Sequence, residues 1–261
     1  LRGGEGPCGP WRRKISEHYH GDDNAMTLSI RGIFPPHCGE KGFYVRGLNH
    51  AAYAAGTFGA LWRQLGGEWS GQWRSGTSPP SAATIIDFAS LPLAQILSAM
   101  NKYSNNVMAR QVFLSLAAGA GEPPFSLATA QQVFNHWAKE RNLAGGDFFM
   151  DNGSGLSRQT RVSAAQIAKL LRLIWASPMR AEIIASLPIL GADGTLRERL
   201  TKHAAAGHFK TGSLANVKSI AGFMRDAKGR DLFFVCLLET ASKKHAKQFQ
   251  NDLIKWAFAG R

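Results

Sequence analysis

Apolar residues recur at helical spacing along most of this chain. The segment from Asn49 to Leu65 has them one helical turn apart, and Gly66-Gly67 follows as a stop signal. The same period predicts further helices downstream. Serines stand as candidate N-caps before several of them, at Ser90, Ser126 and Ser163. The predicted helices span residues 90–103, 105–119, 126–142, 163–176 and 195–201. A further helix is predicted to begin at Pro178.

The period changes from 3.6 to 2 near His208, which indicates strands. Strands are predicted from His208 to Thr211, from Ser219 to Arg225 and from Asp231 to Glu239, the last two forming a hairpin. Lys247 to Phe258 then closes the chain as an amphipathic helix. Helices followed by antiparallel strands and a covering helix predict the α+β class.

Residues 1–48 are irregular by comparison, with Gly and Pro punctuation and short β-like stretches such as 26–30. Trp69 to Trp73 alternates like a strand. Residues 75–83 are rich in Ser, Pro and Gly and offer a candidate boundary.

The composition is that of a globular protein, with 44% hydrophobic and 19% charged residues. No apolar run approaches the roughly 20 residues needed to span a bilayer. The opening Leu1-Arg2-Gly3-Gly4 resembles the interior of a longer protein, which we therefore expect.

The net charge of +13 allows three interpretations. Nucleic-acid binding is disfavoured, because no basic run carries interleaved aromatic residues and no zinc-ligand spacing occurs. Attraction to an anionic wall polymer or membrane surface fits the charge, and so does a solvated basic surface without a partner.

Three cysteines are present. Cys236 lies in an apolar β-type run and is predicted to be a buried free thiol. Cys8 and Cys38 lie 30 positions apart in polar surroundings. Their spacing allows a disulfide, which forms in oxidising compartments, or two unrelated thiols.

Ser104-Asn105-Asn106 falls at the junction of two predicted helices, where side chains can project into a cleft. A hydroxyl at Ser104 and an amide at Asn106 could relay a proton and hold a substrate amide. The plain alternative is a helix N-cap followed by Asn.

Lys210-Thr211-Gly212-Ser213 is predicted at the start of a strand. Gly212 leaves room for a ligand backbone, Lys210 brings positive charge, and Thr211 and Ser213 bring hydroxyls. Together they suit a carboxylate or a developing oxyanion. A surface strand entered through a polar turn is the alternative.

Between these motifs lies the segment 151–158, whose glycines and small polar residues predict a tight turn near the cleft. Its candidate structural residues are Asp151, Gly153, Ser154, Gly155 and Arg158. His18 and His20 form the only close histidine pair and have no carboxylate at helical spacing, so no metal site is expected. No glycine pattern indicates a dinucleotide or phosphate loop, and no cofactor is expected.

Lys-Thr-Gly and Ser-x-Asn are two of the three motifs that serine penicillin-recognising enzymes gather around one nucleophile. The third, Ser-x-x-Lys, is missing, because no serine here is followed three positions later by lysine. The pattern predicts two walls of an active site whose nucleophile lies outside these residues.

With these motifs the chain resembles the penicillin-binding protein 4 family of D-alanyl-D-alanine carboxypeptidases and endopeptidases. The resemblance covers residues 50–261 well and 1–48 more loosely. It rests on the surroundings of both motifs and on three further segments, residues 151–158, 187–188 and 191–196.

The resemblance implies a periplasmic enzyme that cleaves peptidoglycan stem peptides by acyl transfer and that β-lactams inhibit. It implies that residues 49–261 are the C-terminal part of a transpeptidase-like domain and that residues 1–48 are the end of an inserted accessory domain. It also implies a Cys8–Cys38 bond. A β-lactamase-like hydrolase and a non-catalytic wall-binding or regulatory module remain alternatives.

The resemblance further implies a role for each motif residue. Ser104 would shuttle the proton to the leaving amine, and Asn106 would hold a substrate amide. Lys210 would give electrostatic support, Thr211 would bind the terminal carboxylate, and the Ser213 N–H would form half of an oxyanion hole.

Overall fold

The computed structural model describes residues 1, 3–4, 8–21, 26–43, 45, 47–121 and 126–260. The chain forms two compact units, Leu1–Asp87 and Phe88–Arg261. The division predicted at residue 48, between an accessory domain and the transpeptidase-like domain, stays a prediction. No helix in the described part is both long and apolar enough to cross a lipid bilayer.

The first unit contains a hairpin, a helix and an extended tail. Strands β1 (Ile15–Gly21) and β2 (Met26–Gly32) pair antiparallel. Helix α1 (His50–Gln64) begins where predicted, because the Asn49 side chain accepts a bond from the Ala52 N–H at 2.9 Å. A disulfide joins Cys8 to Cys38, with the Cα atoms 5.4 Å apart.

The strand predicted at Trp69 to Trp73 is wrong. This segment has no strand partner among the described residues, and a strand needs a ladder to form. The Trp69 ring instead packs edge-on against Phe58 of α1, with the ring centroids 5.3 Å apart. Packing beside a helix thus accounts for the apolar residue at position 69.

Among its described residues, the second unit has five α-helices before its sheet and one after it. Ser126 and Ser163 cap α4 and α5 as predicted, and Ser163 forms a capping box with Gln166. The helices are α2 (Leu93–Lys102), α3 (Asn106–Ser115), α4 (Leu127–Glu140), α5 (Ala164–Trp175), α6 (Arg180–Ser186) and α7 (Lys243–Phe258).

Several predicted helix boundaries are wrong. Ser90 does not cap α2; Pro92 occupies the N-cap position without a side-chain bond. The helix predicted at 195–201 is replaced by two short 3-10 turns, because Leu200 has φ 52°, a left-handed conformation that a helix cannot contain. Helix α7 begins four residues early, where the Ser242 hydroxyl accepts from the His245 N–H.

The sheet has the antiparallel order β3 (Gly207–Ser213), β4 (Val217–Arg225) and β5 (Asp231–Glu239). Its hydrophobic core includes the fully buried Phe209, Ile220 and Ile254, the last of which belongs to α7. On the opposite face Trp175 of α5 stacks on Phe223. The α+β class is thus confirmed, and α7 covers one face of the sheet as predicted.

Candidate active site

Ser104 sits in a sharp break between two helices. Helix α2 ends at Lys102, and α3 begins at Asn106. Ser104 has φ 51° in the left-handed region, where non-glycine residues are uncommon. Asn105 is the N-cap, because its Oδ1 accepts from the N–H groups of Val107 at 3.1 Å and Met108 at 3.0 Å. The N-cap alternative for Ser104 is therefore wrong, and its hydroxyl is left to face the cleft.

Asn106 ties the start of α3 to the turn at residues 151–158. Its Nδ2 donates to the Ser154 carbonyl at 2.7 Å. Gly155, with φ 74°, leaves the space beside that amide open. The Asn106 Oδ1 accepts no bond from the described residues, so it can accept an N–H of a ligand.

The turn is stabilised mostly by its own side chains. The Asn152 Oδ1 accepts from the Ser154 N–H at 3.1 Å, and the Asp151 carboxylate accepts from the Asn152 Nδ2 at 2.9 Å. Gly153 has φ 69°, and a Cβ there would overlap the Phe113 side chain. The tight turn predicted for this segment is confirmed.

Arg158 ends this turn at the cleft wall. Its carbonyl accepts from the Arg161 guanidinium at 2.8 Å, while its own guanidinium makes no ion pair with the described residues. The turn therefore presents a cation to the cleft.

Lys210 reaches across the cleft to the other motif. Its ammonium donates to the Ser104 hydroxyl and, at 3.2 Å, to the Thr211 carbonyl. Burial lowers the pKa of Lys210 below its ordinary value, because desolvation disfavours the charged form. An amine with a lowered pKa beside a hydroxyl can exchange a proton with it.

The rest of the Lys-Thr-Gly motif lies along β3. Gly212 pairs with Ser219 of β4, and a Cβ on it would overlap the Ser219 hydroxyl. The Thr211 hydroxyl lies 3.3 Å from that of Thr195, and Ser213 is exposed at the strand end. Residues 188–190 bond the outer side of β3 only as far as Phe209. Residues 210–213 therefore lie at an open sheet edge in the described part of the chain and can pair with an extended peptide.

A brace holds the end of α2 against the loop that leads into β3. The Lys102 ammonium donates to the Leu187 carbonyl at 2.7 Å and to the Asp193 carboxylate at 2.6 Å. The other Asp193 oxygen accepts from the Ile189 N–H at 2.7 Å. Although desolvation raises the pKa of Asp193, these bonds outweigh it, and the net pKa is lowered.

Sequence reasoning assigned no role to Lys102 or Asp193. Both stand inside the segments that carry the family resemblance, and their opposite charges were the one available signal. Their pairing depends on a contact between residues 91 positions apart, which local sequence does not specify.

The two motifs and the turn line one cleft of about 1220 Å³ within the second unit. Its polar wall contains Ser104, Asn106, Lys210 and Thr211. Apolar side chains complete it, among them Met100, Met150, Leu156, Leu214 and Leu238. The lining thus combines many polar side chains with apolar ones, and a concave site with convergent polar groups is typical of ligand sites.

Histidine takes no part in this cleft. The His208 Nδ1 lies 3.1 Å from the Ile184 carbonyl, and desolvation lowers the pKa of the ring. His208 belongs to β3, and its side chain is not part of the cleft lining. In the described residues, Cys8, His37 and Cys38 form a compact group of potential metal ligands, but both sulfurs belong to the disulfide.

The architecture is that of penicillin-recognising proteins. Penicillin binding protein 4 of Haemophilus influenzae superposes with a TM-score of 0.78 at 24% identity, over 96% of this chain and 57% of that one. A second crystal structure of that protein, complexed with a β-lactam, gives a TM-score of 0.76 over 95% and 60%.

Residues 9–259 match the D-Ala-D-Ala carboxypeptidase 3 (S13) family, and the chain belongs to this family. The D-alanyl-D-alanine carboxypeptidase DacB of Haemophilus influenzae is 30% identical over 72% of this chain and 40% of its own length. A D-alanyl-D-alanine carboxypeptidase of an Actinomadura species is 30% identical over 59% of this chain and 30% of its own length. The chain thus spans less than half of these curated relatives.

Proposed function

We propose that this chain forms two walls of the active site of a serine-type D-alanyl-D-alanine carboxypeptidase or endopeptidase. The contact between Lys210 and Ser104 carries the proposal, because it joins two motifs 106 residues apart in one cleft. Membership of the S13 family supports the same reaction class.

The nucleophile would come from polypeptide outside this sequence, as a serine followed three residues later by lysine. That serine attacks the carbonyl carbon of the penultimate D-alanine. The peptide bond breaks, the terminal D-alanine leaves as an amine, and water later hydrolyses the acyl-enzyme.

The residues of this chain bind the substrate and move one proton. Ser104, bonded to Lys210, passes a proton to the leaving amine. Thr211 binds the terminal carboxylate and Asn106 accepts the substrate amide N–H. The Ser213 N–H donates to the oxyanion, and the N–H of the nucleophilic serine supplies the second donor.

The substrates would be peptidoglycan stem peptides, with β-lactams as acylating inhibitors and the periplasm as the location. The β-lactam complex of the Haemophilus relative supports the inhibitor class. The Cys8–Cys38 disulfide supports an oxidising compartment. The charge of +13 suits acidic stem peptides or an anionic surface.

A non-catalytic wall-binding module is the second candidate, favoured by one observation. No serine of this chain has lysine three positions later, so the cleft contains no family nucleophile of its own. Such a module would bind stem peptides in the cleft without cleaving them.

Release of D-alanine from a synthetic peptide ending in D-Ala-D-Ala tests the proposal. The protein encoded by the complete gene should release D-alanine, and its Lys210→Met variant should be slower by roughly 100-fold or more. A Lys139→Met variant, changed on the exposed face of α4, should match the wild type. Binding without release by the wild type would contradict the enzyme and favour the module.

A further inference from the structure

A second group of cations lies on the opposite side of the sheet from the candidate active site. Side chains alternate along β4, so Ser219 lines the cleft while Lys218 shares its face with the buried Ile220, which packs against Ile254 of α7. Lys218 is half-buried beside this helix. The group is thus separated from Lys210 by the sheet itself.

Arg199 is the most buried member of this group, with 7% of its surface exposed. Its Nε donates to the Asn251 Oδ1 at 2.6 Å and its terminal nitrogen to the Gln250 Oε1 at 3.2 Å. Both partners are neutral amides of α7. Its remaining N–H groups have no bond to the described residues, so a nearly buried guanidinium lacks a counter-charge.

Two lysines extend the group along the first turns of α7. Lys243 and Lys247 are four residues apart, an arrangement in which like charges repel, and both are near the positive end of the helix dipole. The described ion pairs include none of these four cations. Lys247 lies one helical turn before Asn251, the bond partner of Arg199, so these two cations share a face of α7. Burial and then the charges of Arg199, Lys247 and Lys243 lower the pKa of Lys218.

Although two hydrogen bonds to side-chain amides hold Arg199, none of the four cations has an anionic partner among the described residues, so a bound anion would relieve their mutual repulsion. We propose that Arg199, Lys218, Lys243 and Lys247, the basic cluster, bind a phosphate group, either as free phosphate or as the headgroup of an anionic lipid. A guanidinium offers planar paired donors and lysines offer mobile point charges, which together match the oxygens of a phosphate. The basic cluster does not depend on the proposed peptidase activity.

Two titrations of this chain test the basic cluster. Inorganic phosphate is titrated while amide shifts of residues 199, 218, 243 and 247 are followed by NMR. Vesicles of phosphatidylcholine, with and without half phosphatidylglycerol, are then sedimented with the protein. A Lys218→Gln/Lys247→Gln variant keeps the buried Arg199, and Lys139→Gln/Arg172→Gln removes the same charge from the exposed faces of α4 and α5.

The proposal predicts that phosphate shifts the amide NMR signals of the basic cluster selectively. The affinity for the bound probe should be roughly tenfold or more weaker in the Lys218/Lys247 variant than in its matched control. Binding of phosphate alone assigns the site to a free anion, and binding of anionic vesicles as well assigns it to a lipid headgroup. Equal losses in both variants would show that net charge alone drives binding and would overturn the proposal. The proposal would also be overturned if the protein bound neither phosphate nor anionic vesicles.

Discussion

The two walls of the cleft are held in place by different forces. Lys210 and Thr211 lie on β3, which a continuous backbone ladder fixes against β4. Ser104 lies in a break between two helices, where a few side-chain bonds over long sequence separations set its position. Substitutions that disturb backbone packing should therefore destabilise the strand wall. Loss of a single polar contact should destabilise the helical wall.

The largest effect is expected where the strand wall depends on close backbone approach. A Cβ on Gly222 would lie 2.8 Å from the Phe209 Cα and overlap the His208 carbonyl. Gly222→Ala should separate β3 from β4 and lower the free energy of unfolding by about 3 kcal/mol. Urea denaturation measures this, with Gly119→Ala, which meets no atom within 4 Å, as the matched control. Equal stability of the two variants would contradict the description of this wall.

Breaking the brace should have the next largest effect. Lys102→Met leaves the Asp193 carboxylate and the Leu187 carbonyl without their donor, which should reduce the free energy of unfolding by about 2 kcal/mol. Lys255→Met removes an exposed pair with Asp252 and should change stability by less than about 0.5 kcal/mol. If both variants unfold at one midpoint, the brace contributes nothing to the helical wall.

The brace also predicts a pH dependence. The pKa of Asp193 is lowered in the folded state, so its contribution to stability is present above its unfolded pKa of about 3.9 and is lost as pH falls through the folded value. Asp193→Asn should therefore flatten the acid limb of a plot of unfolding midpoint against pH. An unchanged acid limb would rule out this ionic contribution.

A smaller effect is expected at the turn that borders the helical wall. Asn106→Ala removes the donor to the Ser154 carbonyl and should reduce the free energy of unfolding by about 1 kcal/mol. Ser126→Ala removes the α4 cap at a similar cost. Only Asn106→Ala should shift the NMR signals of Gly153 and Gly155; equal shifts in both variants would mean that the turn responds to stability alone.

The smallest expected effect is the contribution of the Lys210 charge to the pH dependence of stability. Because its folded pKa is lowered, the unfolded chain binds more protons between that value and about 10.4, so stability should rise with pH across this window. Lys210→Met should remove that part of the rise. A direct NMR titration in which the Lys210 amine deprotonates with the exposed lysines would contradict the lowered pKa.

The sequence predicted those parts of the molecule that local pattern specifies. The capped helices α1, α4 and α5 and the β4–β5 hairpin follow from N-cap residues and hydrophobic period. The left-handed Leu200 and the packing of Trp69 on Phe58 depend on tertiary contacts, and both predictions there were wrong. The motif residues could be found by pattern, whereas the Lys102–Asp193 brace required the fold.

Covalent labelling by a fluorescent penicillin, read by intact mass, tests the central claim most directly. It is applied to this 261-residue chain and to the protein encoded by the complete gene. The account predicts a label only on the complete protein, at a serine followed three residues later by lysine, and much slower labelling of its Lys210→Met variant. Two results would contradict the claim that its cleft forms two walls of a serine peptidase site. One is a label on the 261-residue chain, and the other is no label on either protein.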